Sequence, residues 1–137
     1  MMHAGLMEVA RRDPRFAYEA YEFIFAALEH TQQRLGRTAA EPTRSDEPVT
    51  AHVTGPELVR GACDLAVREF GRLARVVWQL WGVNSTDDLG AIVFNLIDAN
   101  LLTKTERDSR ADFHAVVDLD AVLRDGFEID LELKDAS

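Results

Sequence analysis

The chain has 137 residues, 47% of them hydrophobic and 28% charged, with a formal net charge of −9 at pH 7. That is the balance of one soluble domain, long enough to hide roughly two thirds of its unfolded surface in a single core and too short to divide into two. The single cysteine, Cys63, excludes an internal disulfide and suits a reducing cytoplasm. The longest run without a polar residue, Phe23 to Leu28, is far short of the roughly 20 apolar residues a membrane span needs, and no secretory signal is visible at the N-terminus.

Taken in order, Leu6, Val9 and Ala10 predict a short opening helix stopped at Asp13-Pro14. The same dipeptide is a start signal, with Asp13 as N-cap and Pro14 in the first helical position, so a long helix is expected from there to Leu35, closed by Gly36. Its stripe of Tyr18, Tyr21, Phe25, Leu28 and Leu35, widened by Phe16, Phe23 and Ile24, is more apolar than one buried face requires. Residues 37–48, with Pro42 and Pro48 among Thr, Ser and Asp, read as a mobile loop. Val49, Ala51 and Val53 then alternate with polar residues as a short strand.

Thr54-Gly55-Pro56-Glu57 is a capping box opening a helix that turns Leu58, Ala62, Leu65, Ala66 and Phe70 inward and ends at Gly71. A further helix over Arg72 to Trp81 is expected to bury Leu73, Val76, Val77, Leu80 and Trp81 before Gly82 stops it. Ser85 caps the next, whose core stripe is Leu89, Ile92, Val93, Leu96, Ile97 and Leu101. Gly61 and Gly90, inside helices, are expected at close contact points. After a charged loop, short turns are marked by Phe113 and by Leu119, Val122 and Leu123. The tail Phe127 to Leu133 alternates apolar and acidic residues and needs a strand partner, for which Val49 to Val53 is the candidate. The expected fold is therefore mainly α: a single domain over 1–137 with about four principal helices, winged-helix-like in its connections, and a minor two-stranded element.

Charge is unevenly placed. Residues 1–81 carry 10 basic and 11 acidic side chains, whereas residues 82–137 carry 5 and 13. An acidic last third repels polyanions; its ordinary reading is solvation and solubility, its sharper one a docking face for a basic partner. The helices flanking Gly82 have helix-turn-helix spacing, but the second opens with Asp87 and Asp88 and holds no Arg or Lys before Lys104, a poor element for reading DNA. The four histidines are not paired at metal-ligand spacing, and the acids around Asp118, Asp120 and Asp125 lack a calcium-loop pattern. No metal or other cofactor is implied. Cys63 has neither a base nor an electropositive neighbour in the sequence, and the glycines sit singly, with no phosphate loop.

Several runs resemble an uncharacterised family of small acidic bacterial proteins known only by a locus-tag name. They are Arg12-Asp13-Pro14-Arg15-Phe16 with Glu19-Ala20-Tyr21 and Phe23, His52-Val53-Thr54-Gly55, Phe70-Gly71, Trp81-Gly82, Ile92 to Ile97, Lys104-Thr105-Glu106, Asp108-Ser109-Arg110 and Asp112-Phe113. The likeness spans nearly all of Leu6 to Phe127. It implies a bacterial cytoplasmic protein and brings no activity, cofactor or catalytic residue with it.

Two candidate sites follow. Arg12, Asp13, Arg15, His52, Lys104, Asp108 and Arg110 fall at loops and caps, where such side chains either tie segments together or, gathered unpaired in a cleft, hold a small anion. Phe16, Tyr21 and Phe25 are the candidate interaction surface. The leading functional expectation is a non-catalytic interaction or regulatory module that meets a protein partner or a second copy of itself. The competing expectations are a winged-helix-like nucleic-acid binder, and an enzyme or small-anion binder with no identified catalytic residue.

Overall fold

A computed structural model describes residues 4–36, 49–50, 53–103 and 110–124. It is mainly helical, with α1 over Ala4–Arg12, α2 over Tyr18–Arg34, α3 over Gly55–Phe70, α4 over Ala74–Leu80 and α5 over Thr86–Asp98. A 3₁₀ turn, Gly71–Leu73, links α3 to α4; a second, Arg110–Phe113, and a π-type turn, Asp120–Arg124, follow α5.

Helix α3 begins at the capping box read from the sequence. The Glu57 N–H donates to the Thr54 hydroxyl and the Thr54 N–H donates to the Glu57 carboxylate, with Pro56 in the first turn. The Ser85 hydroxyl accepts the Asp88 N–H at the start of α5, and the Asp88 carboxylate reaches back to the Asn84 N–H. Helix α2 starts later than expected, at Tyr18, with Ala17 in the capping position and no side-chain cap. Asp13 is not its N-cap because its carboxylate is occupied elsewhere, on Arg15 and Asn95.

The core is built by α2 lying along α3, with α1 and α5 on further sides of α2. Their closest approach is at Gly61, where a β-carbon would collide with the Thr31 hydroxyl of α2, so only glycine lets the helices meet there. Thr31 is fully buried and its hydroxyl donates to the Ala27 carbonyl, 2.7 Å, which removes its need for water. Gly90 serves a similar purpose against the Phe113 ring, from the turn after α5 rather than from a helix.

Much of the excess apolar surface of α2 is covered. Phe16 and Tyr21 are 2% and 0% exposed, so these two are interior and not an interaction surface, while Phe25 is half-buried against the core. Phe23 accounts for much of the rest: its ring lies 6.0 Å from Phe70, 6.0 Å from Trp78 and 5.5 Å from Trp81, an aromatic cluster shared by α2, α3 and the end of α4. The Trp78 indole N–H has no hydrogen-bond partner. Losing that bond costs about 1–3 kcal/mol, comparable to what burying so large a ring returns.

The second correction concerns α4. Its buried residues are Ala74 and Trp78, with Val77 and Trp81 half-buried, while Leu73, Val76 and Leu80 face outward. A helix with apolar residues on every side does not specify its own inner face by periodicity; here the bulk of Trp78, one turn from the small Ala74, decides it.

Val49–Thr50 pairs in parallel with Leu102–Thr103, two residues each. The expected pairing with the tail lies outside the described residues, as does the loop 37–48.

Candidate functional site

Of the seven polar residues singled out in the sequence, the structure joins two. Arg15 donates to both carboxylate oxygens of Asp13, at 2.9 and 2.7 Å, and its guanidinium sits 4.9 Å from the centre of the Phe16 ring. Asp13 also accepts from Asn95 of α5 at 2.8 Å, and Asn95 donates to the Tyr21 hydroxyl at 3.0 Å. This node ties the α1–α2 turn to α5. Arg12 stands apart, exposed and 3.8 Å from Glu8. His52, Lys104 and Asp108 lie outside the described residues; Arg110 opens its 3₁₀ turn, with its side chain outside the description. The joined residues satisfy one another, which makes them architecture.

Arg15 and Asn95 together hold the Asp13 carboxyl well below the usual carboxylate range, against the opposing effect of burial. A carboxylate with a depressed folded pKa stabilises the fold above its unfolded pKa and loses that contribution as pH falls toward the folded value. D13N is therefore expected to lower stability by about 1 kcal/mol at pH 7. The gap from wild type, read by urea denaturation, should narrow steadily as pH is taken below the ordinary Asp range. A gap unchanged at low pH would contradict this account.

Other polar contacts were hidden in the sequence. His30 Nε2 lies 2.7 Å from Asp64, whose same oxygen accepts from Arg68 at 2.8 Å, joining α2 to α3. Arg75 of α4 donates to Asp120 at 2.8 Å and to the Val83 carbonyl, and is itself nearly covered. Asp64 and Arg68 are an i,i+4 pair legible within one helix, but His30–Asp64 and Arg75–Asp120 have no such signal, because partners 34 and 45 positions apart are brought together only by packing.

Two hollows open among the described residues. The larger, an open depression of about 270 Å³ at the start of α5, is lined by Ser85, Thr86, Asp87, His114 and Asp118 among others. Its polar groups are engaged: Asp87 with His114 at 3.1 Å, the Thr86 hydroxyl with the Val116 N–H, and the Asp118 carboxylate with the N–H groups of Asp120 and Ala121. The smaller is an apolar slot of about 20 Å³ between Leu58, Val93, Phe94 and Phe113. Among the described residues, no three His, Cys, Asp or Glu side chains gather as a metal-holding group, and no helix is long and apolar enough to cross a membrane.

Cys63 is fully buried in α3, and burial, aided by the neighbouring Asp64 charge, pushes its thiol up to about 12. Nucleophilic chemistry needs the thiolate. In the native protein at pH 8, a thiol-specific reagent should therefore label Cys63 only as fast as the domain opens, and rapidly in denaturant. Fast native labelling would show an accessible, activated thiol.

What remains is the outer side of α4. Leu73, Val76 and Leu80 are 63%, 48% and 78% exposed, and their spacing of three and four residues puts them in one stripe. Helix α5, the second helix of the helix-turn-helix spacing, presents Asp87 and Asp88 in its first turn and no basic residue in its last. No family model, curated protein or solved structure matches the chain. The stripe is held in position from both ends. Arg75 anchors α4 to the Asp120–Arg124 turn, and after Trp81 the chain reverses at Gly82 (φ +95°) against the Arg15 carbonyl, with the Ala17 N–H donating to Trp81 at 3.0 Å. Three large apolar side chains in water on an anchored helix are the kind of feature that marks an interaction surface.

Proposed function

We propose that this chain is a non-catalytic protein-interaction or regulatory module that works in the bacterial cytoplasm and docks its partner on the outer face of α4. The observation that carries the reading is the exposed stripe of Leu73, Val76 and Leu80 on a molecule whose other large apolar side chains, Met7 apart, are at least partly buried among the described residues. Burying such residues stabilises a complex by roughly 1.5–3 kcal/mol for each side chain fully covered. The single buried thiol supports the cytoplasmic setting.

The test is a parallel affinity capture from the native cell with the wild-type chain and with L73S/V76S/L80S, after circular dichroism has established that the variant folds. A polypeptide, either a second copy or another protein, retained by the wild type and lost with the variant is the expected result. Equal retention by both would place recognition elsewhere and overturn the reading.

A further inference from the structure

We draw no further inference here: the strongest candidate, the exposed Leu73, Val76 and Leu80 face on the outer side of α4, already carries the proposal above, and nothing in the structure shows what covers it.

Discussion

G82A should be among the most damaging single substitutions in this protein, lowering its stability by about 4 kcal/mol and its melting temperature by roughly 15 °C. Two separate effects act there. Gly82 has φ +95°, a conformation that strains any residue with a β-carbon, and that β-carbon would run into the Arg15 carbonyl oxygen, which is backbone and has no rotamer by which to move away. G71A separates the two: Gly71 also has a positive φ, +58°, but nothing lies within 4 Å of the position a β-carbon would take. It should lose only about 1 kcal/mol, the strain alone. Thermal unfolding of the two variants side by side measures the difference. Equal losses would mean that the packing of the α4 exit against the α1–α2 turn contributes nothing, and with it would go the argument that α4 is rigidly presented.

The second large effect is expected at the α2–α3 crossing. In G61A the added methyl meets Thr31, whose Cβ and Cγ2 would lie 2.8 and 3.1 Å away with the hydroxyl closer still. Overpacking of this kind costs about 1–3 kcal/mol, and separating two helices along their main contact puts it near the upper end. The helix-propensity gain of alanine over glycine, about 1 kcal/mol, offsets only part. T31A/G61A removes the hydroxyl and Cγ2 and leaves the one Cβ contact, so it should recover more than half of the loss. The check is a double-mutant cycle in urea, in which the coupling between the two sites should exceed 1 kcal/mol. Additive losses would show that Thr31 is not what the glycine makes room for.

The parts of the fold written locally were legible. Thr54 with Glu57, and Ser85 ahead of Asp88, announce their helices because a cap is a contact between residues two to four apart. Gly61 and Gly90 stood out because a glycine inside a helix is a loss unless something needs the space. The parts that depend on distant neighbours were not legible. Asp13 followed by Pro14 is a valid helix start in isolation, yet Asn95, 82 positions away, shares its carboxylate, and α2 begins at Tyr18 instead. The aromatic side of α2 looked unpartnered because its covering, from Phe70, Trp78 and Trp81, comes from other helices. The orientation of α4 is not legible for the complementary reason: with Leu73, Val76, Val77, Trp78, Leu80 and Trp81 in nine positions, the sequence offers several inner faces, and the choice falls to tertiary packing. Both differences bear on the candidate site directly. Of the surface expected on Phe16, Tyr21 and Phe25, the first two are core and Phe25 is half-buried, and Leu73, Val76 and Leu80, expected in the core, are surface.

That exchange of inside for outside makes one measurement decisive. Backbone amide shifts of the isotope-labelled chain, followed by NMR as the polypeptide captured by the wild type is added at rising concentration, report which residues meet the partner. Movement confined to Gly71–Gly82, largest at Leu73, Val76 and Leu80, and absent in L80E, is the predicted result. Shifts that move instead around Asp87 and His114, or that do not move at any concentration, would contradict it.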